Sequence, residues 1–230
     1  MDEGKRMSDP TRDLFDEWAK GGRGEGMEEG HFPRAEQALE NIPIMPGEHV
    51  LDLGCGNGWA TRWLRHCVGE DGKAVGIDLA PEMIELARKS VKDAKGIEFI
   101  EGAFESLPFP DGVIDHAFSM EALYYAPETH VALTDIARVI RPEGTLTFCT
   151  DFYAENPYCH GWPEMMGIPM IMKSEAGWCQ ALEEAGFKVL ETQRCFDPRE
   201  VGDDVDASKA ADIRDFRENV GSLSILAQKK

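Results

Sequence analysis

The chain of 230 residues contains no apolar run long enough to span a bilayer, and its first six residues lack the apolar stretch of a signal peptide. Positive charge is also scarce, since 24 Lys and Arg stand against 43 Asp and Glu, for a formal net charge of −19. Because a surface that binds phosphates needs positive charge, nucleic acid is not expected as the main partner. We expect a soluble, cytoplasmic protein whose acidic surface keeps it in solution and favours cationic ligands.

The sequence also lacks the paired spacings of a metal site. Its six cysteines contain no Cys-x-x-Cys pair, and no two histidines have zinc-binding spacing. We therefore expect reduced thiols and no bound metal.

From His49 to Thr150, short apolar segments alternate with amphipathic segments of helical length. The predicted strands are 49–53, 74–79, 97–101, 113–119 and 144–150, and the predicted helices between them are 58–68, 81–94 and 128–140. This alternation predicts a parallel sheet with helices on both faces. A helix at 174–185 and strands at 187–195 and 222–228 follow.

Two regions fall outside this rhythm. Residues 1–48, with helix-like pieces at 14–20 and 33–41 around a glycine-rich run, are predicted to form an N-terminal helical cap or lid, or alternatively a frayed tail. The domain then spans 49–230 and carries an insertion at about 151–173. This insertion is rich in Pro, Met and aromatic residues, which suits a substrate pocket or a plug at the end of the sheet. The acidic segment 197–215 is expected to be exposed.

The first predicted strand ends in Asp52 and continues into Gly54-x-Gly56-x-Gly58. Glycines here allow a tight turn and a close approach of the backbone to a ligand. The spacing differs from the Gly-x-Gly-x-x-Gly of dinucleotide-binding proteins, in which a helix N-terminus holds a pyrophosphate. The carboxylate of Asp52 would repel a pyrophosphate and suits a ligand with ammonium and sulfonium charges, so the loop argues against a nicotinamide-dependent oxidoreductase, which stays an alternative.

The second predicted strand brings Asp78 to the same edge of the sheet, 20 residues after Gly58. A carboxylate at this place can accept two hydrogen bonds from a ribose diol. Alternatively, Asp78 caps the helix that begins at Pro81.

Five pieces of sequence, in this order along the chain, resemble one known family. They are Val50–Gly58, Val75–Asp78, Ile97–Gly102 with Leu107–Phe109, Ile114–Ser119 and Arg138–Gly144. With them the chain resembles the class I S-adenosylmethionine-dependent methyltransferases, in particular the type 11 methyltransferases and the quinone-biosynthesis C-methyltransferases. The resemblance implies an α/β, Rossmann-like fold with a seven-stranded mixed sheet in the order 3-2-1-4-5-7-6, in which strand 7 is antiparallel.

The resemblance also implies S-adenosylmethionine as cofactor and S-adenosylhomocysteine as product. The residues expected to bind it are Asp52, Gly54, Cys55, Gly56, Gly58, Asp78, Leu79, Met83, Ala103, Phe104, Ser119 and Met120, together with Arg23 of the lid, which would meet the methionine carboxylate. One departure stands out, because the family usually has Gly-Asp-Ala where this chain has Gly102-Ala103-Phe104. The bond from that Asp to the adenine amine is missing, while backbone groups at 103 and 104 and the ring of Phe104 remain available.

Methyl transfer from a sulfonium is an in-line displacement, for which the protein positions the nucleophile, excludes water and, where needed, removes a proton. The candidate bases are Glu121, Tyr125 and His160, with Tyr124, Asp151 and His31 as further candidates. Packing or capping roles are open for each, and a thiol or nucleophilic carbon needs no strong base.

We expect a methyltransferase, monomeric or homodimeric, that acts on a small, partly apolar molecule with a C, O, N or S acceptor. A non-catalytic S-adenosylmethionine-binding protein is the alternative from another class.

Overall fold

The computed structural model describes residues 9–40, 42, 44–93, 95–202 and 205–230. The parts of the predicted lid at residues 1–8, 41 and 43, and the predicted helix end at 94, lie outside these residues. None of the helices that these residues form is long and apolar enough to cross a membrane.

One sheet contains the seven strands of the described residues. In chain order they are β1 (His49–Leu53), β2 (Lys73–Asp78), β3 (Ile97–Glu101), β4 (Ile114–Met120), β5 (Ile140–Thr150), β6 (Phe187–Cys195) and β7 (Ser222–Lys229). Their order in the sheet is β3-β2-β1-β4-β5-β7-β6. The strands from β1 to β5 pair in parallel, and β7 runs antiparallel to β5 and β6. The fold expected from the resemblance is confirmed.

The α-helices of the described residues are α1 (Pro10–Lys20), α2 (Met27–Leu39), α3 (Trp59–Cys67), α4 (Pro81–Ser90), α5 (Thr129–Val139), α6 (Trp162–Met166), α7 (Glu175–Glu184) and α8 (Ala207–Asp215). Asp9 is the N-cap of α1, because its carboxylate accepts hydrogen bonds from the backbone N–H groups of Thr11 and Arg12. Asp206 caps α8 in the same way through Ser208.

Several predicted bounds or exposures are wrong. The helical pieces predicted at 14–20 and 33–41 begin earlier, at Pro10 and Met27. Helix α4 ends at Ser90 rather than 94, because Val91 has an extended backbone. Strand β5 begins at Ile140 rather than 144, because Ile140 is buried and pairs with Ile114 before a register shift. In the segment 197–215, which was expected to be exposed, Asp197 is only 3% exposed.

Each face of the sheet packs on its own helices, as the parallel strands β1 to β5 require. On one face Leu51 and Leu53 belong to a cluster with Leu133 of α5 and Trp178 of α7. On the other face Val50 belongs to a cluster with α2 and α3 residues that include Leu64. The alternation along β1 therefore fixes both layers, and it leaves the carboxyl ends of the strands for the site.

Candidate functional site

A cavity of about 680 Å³ lies where β1, β2 and β4 end. Residues of the glycine loop, the segments after β2, β3 and β4, helices α1 and α2, and helix α6 all line it. The predicted lid and the predicted insertion thus both contribute to the same cavity as the glycine loop.

The glycine loop is tied to the neighbouring strand. The backbone N–H groups of Gly54 and Cys55 both donate to the carbonyl of Ile77, at 2.8 and 3.0 Å. Gly54 has φ +76°, and a Cβ on it would lie 2.2 Å from the Cβ of Ala122. This position therefore requires glycine, both for its left-handed backbone and for the close approach.

Asp78 lines the cavity and is held by two backbone groups. Its Oδ2 accepts from the N–H of Gly56 at 2.8 Å, and its Oδ1 accepts from the N–H of Ala80 at 2.9 Å. Burial raises the pKa of this carboxyl. The alternative that Asp78 caps helix α4 is wrong, because Ala80 is the N-cap of that helix and no side chain caps it. Each carboxylate oxygen of Asp78 that bonds a backbone group keeps a lone pair for a ligand hydroxyl, so the ribose role stays a prediction that this geometry permits.

Asp52 does not line the cavity. Its side chain is buried behind the loop, where Oδ2 accepts a hydrogen bond of 2.6 Å from the hydroxyl of Thr61. Burial raises the pKa of Asp52 to about 7, and the charge of Asp78 adds to the shift. The sequence predicts that Asp52 contacts the cofactor directly. This stays a prediction, and the burial of Asp52 against Thr61 does not favour it.

Most of the other predicted cofactor residues come together. Cys55, Gly56, Leu79, Met83, Ala103, Phe104 and Met120 line the cavity with Gly54 and Asp78. Gly58 is instead the N-cap of α3, where a Cβ would lie 2.6 Å from the ring of Phe99. The hydroxyl of Ser119 donates to the carbonyl of Leu53 at 2.9 Å. These two residues support the loop from behind.

Arg23 lies outside the cavity lining. It is exposed, and its guanidinium lies 3.9 Å from the centroid of the Trp18 ring. A bond from Arg23 to a methionine carboxylate therefore stays a prediction, while its ring partner Trp18 does line the cavity.

Glu121 and Tyr125, two candidate bases, line the cavity beside Tyr124. Glu121 has φ +56°, which is unusual for a residue with a side chain. Its Oε2 accepts from the hydroxyl of Tyr124 at 3.0 Å, and its Oε1 accepts from the N–H of Asp151. Burial, followed by the charge of Asp151, raises the pKa of Glu121 well above its usual range.

His160, the third candidate base, lies elsewhere. It is exposed, and its Nε2 lies 2.9 Å from the carbonyl oxygen of Ala154. His31 of α2 does line the cavity. Burial, aided by the charge of Arg34, lowers the pKa of His31 to about 4, so its imidazole is neutral near pH 7.

A buried ion-pair network connects α2 to the strand ends. Arg34 lies 3.2 Å from Asp151 and 3.8 Å from Asp197. Asp197 also pairs with Arg199 and Arg217, at 2.6 and 3.2 Å. Local sequence patterns do not indicate this network, because Arg34, Asp151 and Asp197 come from distant parts of the chain.

Among the described residues no group of three or more His, Cys, Asp and Glu side chains could hold a metal ion. The six cysteines are free thiols, and Cys55 is the one among them that lines the cavity.

The methyltransferase domain family matches residues 51–148 of this chain. The solved complex between the Haloferax volcanii Trm112 methyltransferase activator and a methyltransferase contains a chain that is 35% identical, with a TM-score of 0.84. That match covers 94% of this chain and 97% of the other. This chain belongs to the class I S-adenosylmethionine-dependent methyltransferases.

The names of other similar methyltransferases give different acceptors. The arsenite methyltransferase of Halobacterium salinarum is 33% identical over 192 residues, which cover 81% of this chain and 48% of that protein. The demethylmenaquinone methyltransferase of Lysinibacillus sphaericus is 29% identical over 127 residues, which cover 55% and 54%. The chain spans about half the length of these two relatives, and methyltransferase family membership does not identify its acceptor.

Proposed function

We propose that this protein transfers a methyl group from S-adenosylmethionine to a small, partly apolar molecule. The observation that carries the proposal is one continuous cavity that contains both the glycine loop with Asp78 and a set of apolar side chains. The cofactor supplies an electrophilic methyl group on a sulfonium.

The residues present fit the cofactor. Asp78 has the lone pairs to accept from the ribose hydroxyls, as ribose recognition requires. The loop at Gly54 and Gly56 exposes backbone at the cavity surface for the methionine portion, while Leu79 and Phe104 provide apolar surface for the adenine ring. The fold family and the lining residues thus point to the same ligand.

The apolar part of the cavity suits a partly apolar acceptor. Phe15 and Trp18 of α1 make edge-to-face contact at 5.2 Å, and Phe15 makes another with Tyr125 at 5.1 Å. Met165 and Met166 of α6 line the same cavity, and methionine adapts to ligands of irregular shape. The lid and the insertion would therefore bind the acceptor and exclude water from it.

Arsenite, the acceptor named for the Halobacterium relative, is not what this cavity favours. The arsenic of arsenite is a soft centre, and proteins bind soft centres with several thiolates that converge on them. Of the cysteines, Cys55 alone lines the cavity, and it belongs to the cofactor loop.

Titration calorimetry with S-adenosylhomocysteine, followed by assay of its formation from S-adenosylmethionine with a panel of small acceptors, tests the proposal. We expect saturable binding of S-adenosylhomocysteine, no binding of NADH, and loss of binding in Asp78→Ala but not in Asp71→Asn, which changes an exposed carboxylate. Binding of NADH alone would contradict the proposal. Binding of S-adenosylhomocysteine without methylation of any acceptor would instead favour the non-catalytic alternative.

We also infer that the protein binds an activator of the Trm112 type. The support is the match over nearly the whole of both chains to the methyltransferase of the Haloferax complex. Co-expression with such an activator, followed by light scattering, tests this inference. We expect a one-to-one complex with higher activity than the separate chain, and a chain that elutes alone with unchanged activity would contradict it. The same measurement on the separate chain distinguishes monomer from homodimer.

A further inference from the structure

Glu121 is a carboxylate of the cavity wall that forms no ion pair with the described residues. Its Oε2 accepts from the hydroxyl of Tyr124 at 3.0 Å and its Oε1 from the backbone N–H of Asp151, and both donors are uncharged. Arg34 is paired with Asp151 instead, at 3.2 Å, and does not line the cavity. Glu121 itself is half-buried and lines the cavity, so a ligand there can reach it. Because a carboxylate withdrawn from water is unfavourable without a cation beside it, this is a place where a cationic ligand is expected to bind.

The charges of the cavity lining select against an anionic acceptor. Of the described residues that line it, none is Lys or Arg. His31 carries no charge near pH 7, because burial lowers the pKa of its imidazole to about 4. The carboxylates of Asp78, Asp151 and the exposed Glu128 line the same cavity. A carboxylate or phosphate on the acceptor would therefore lose its hydration without gaining a cationic partner.

Four aromatic side chains form a continuous aromatic wall beside Glu121. In order they are Trp18, Phe15, Tyr125 and Tyr124, and the ring centroids of neighbours lie 5.2, 5.1 and 4.3 Å apart. All four line the cavity, and the hydroxyl of Tyr124 ends the wall at the carboxylate of Glu121. The faces of aromatic rings attract ammonium groups, and their carbon surface also packs on hydrocarbon. The aromatic wall and Glu121 therefore favour the same kind of ligand, a cation on an apolar stem.

We propose that the methyl acceptor is an amphipathic amine, which binds as an ammonium between the carboxylate of Glu121 and the aromatic wall. This inference rests on the proposed function and names the class of its substrate. The hydrocarbon part of the amine packs on Met165 and Met166 of α6, which line the cavity. A neutral alcohol of the same shape gains the apolar contacts alone, and a carboxylic acid is repelled.

Glu121 also serves the transfer step of such an acceptor. An ammonium has no lone pair, so it first gives a proton to the carboxylate of Glu121. The amine nitrogen then forms a bond to the methyl group of the sulfonium, the bond from that methyl to sulfur breaks, and its electron pair stays on sulfur. Burial raises the pKa of Glu121 well above its usual range, which favours this proton transfer. The methylated amine and S-adenosylhomocysteine leave, and the proton passes to solvent.

The experiment compares three probes that share a phenylethyl group and differ in charge: 2-phenylethylamine, 2-phenylethanol and 3-phenylpropanoate. Calorimetry measures their binding to protein saturated with S-adenosylhomocysteine, in the wild type, Glu121→Gln and Glu164→Gln. Glu164→Gln is the matched control, because Glu164 is exposed on α6 and does not line the cavity. We expect the wild type and the control to bind the amine about tenfold or more tighter than the alcohol, and the acid most weakly. In Glu121→Gln the advantage of the amine over the alcohol should fall by about tenfold.

The outcomes separate this inference from the proposed function. Binding of the acid or the alcohol as tight as that of the amine, or no binding of the amine, overturns the inference while the cofactor assignment stands. An unchanged advantage of the amine in Glu121→Gln overturns the role of Glu121. Failure of the wild type to bind S-adenosylhomocysteine overturns the proposed function as well. Thermal unfolding of Glu121→Gln, with a midpoint expected close to that of the wild type, checks its fold, and the wild-type comparison needs no variant.

Discussion

Arg34 on helix α2 forms a buried ion pair of 3.2 Å with Asp151 at the end of β5. Asp151 also accepts from the hydroxyl of Ser222 on β7, and its backbone N–H donates to Glu121. The N-terminal helices are therefore connected to the strand ends of the sheet and, through Asp151, to the candidate base.

Replacing Arg34 tests this connection. Arg34→Met leaves Asp151 buried without its cationic partner, which we expect to cost roughly 3–5 kcal/mol of the free energy of unfolding. We also expect weaker binding of S-adenosylhomocysteine and faster proteolysis within residues 9–40. Urea denaturation, calorimetry and limited proteolysis measure the three effects.

Lys20→Met is the matched control for Arg34. Lys20 also joins the N-terminal helices to the domain, through an exposed pair of 3.8 Å with Glu82. An exposed pair contributes at most about 1 kcal/mol. Equal destabilisation by the two variants would show that the buried pair contributes no more to the free energy of unfolding than the exposed pair does.

Replacing Gly54 by alanine, which adds one Cβ atom, tests the structure of the glycine loop. In Gly54→Ala the new Cβ would lie 2.2 Å from the Cβ of Ala122, at a backbone angle that favours glycine. We expect lower stability and at least about tenfold weaker binding of S-adenosylhomocysteine, because the loop must move from its place. Gly30→Ala, at a helical position with no atom within 4 Å of the new Cβ, should leave binding unchanged and slightly raise the stability. Normal binding by Gly54→Ala would contradict the described loop.

Asp52 predicts a pH dependence of stability. Its pKa rises from 3.8 to about 7 on folding, because burial disfavours the charged form. Folding therefore favours the protonated carboxyl: its contribution is complete below about pH 4 and is lost as the pH rises through about 7. Relative to Asp52→Asn, which does not titrate, the wild type should lose stability across this window.

Urea denaturation of the wild type, Asp52→Asn and Asp71→Asn from pH 4 to 8 makes the measurement. Asp71→Asn is the control for the loss of a carboxylate, because Asp71 is exposed. A difference between the wild type and Asp52→Asn that does not change with pH would mean that the carboxyl of Asp52 is not protonated on folding.

Of the three candidate bases, Glu121 and Tyr125 line the cavity and His160 does not. If Glu121 removes a proton from the acceptor, Glu121→Gln should lower kcat by about 10²-fold or more, with a smaller change in the affinity for S-adenosylhomocysteine. His160→Ala should leave kcat within about twofold, because His160 lies outside the cavity. Steady-state kinetics with an acceptor found in the panel gives both values. A loss of kcat in His160→Ala with none in Glu121→Gln would reverse the assignment.

Steady-state kinetics of Tyr125→Phe tests the remaining candidate base. Its hydroxyl lies 3.5 Å from that of Tyr124, and burial raises the pKa of Tyr125. Deprotonation of Tyr125 is therefore disfavoured, and its ring packs against Phe15 of the lid. We expect Tyr125→Phe to retain most of kcat.

The sequence by itself determined the sheet and the positions that end its strands. Apolar alternation and glycine spacing are local patterns, and parallel strands bring their carboxyl ends to one edge. Gly54, Asp78 and Glu121 could therefore be placed in one site before their contacts were known. The strand order came from the family resemblance, and the structure confirms it.

Only the tertiary structure decided which side chains face the cavity and which pair behind it. Asp52 and Asp78 are both at the ends of neighbouring strands, yet Asp52 turns to Thr61 while Asp78 faces the cavity. The partners of Arg34 depend on segments that are distant in the sequence. Local periodicity carries no information on such contacts, because the packing of the whole chain determines them.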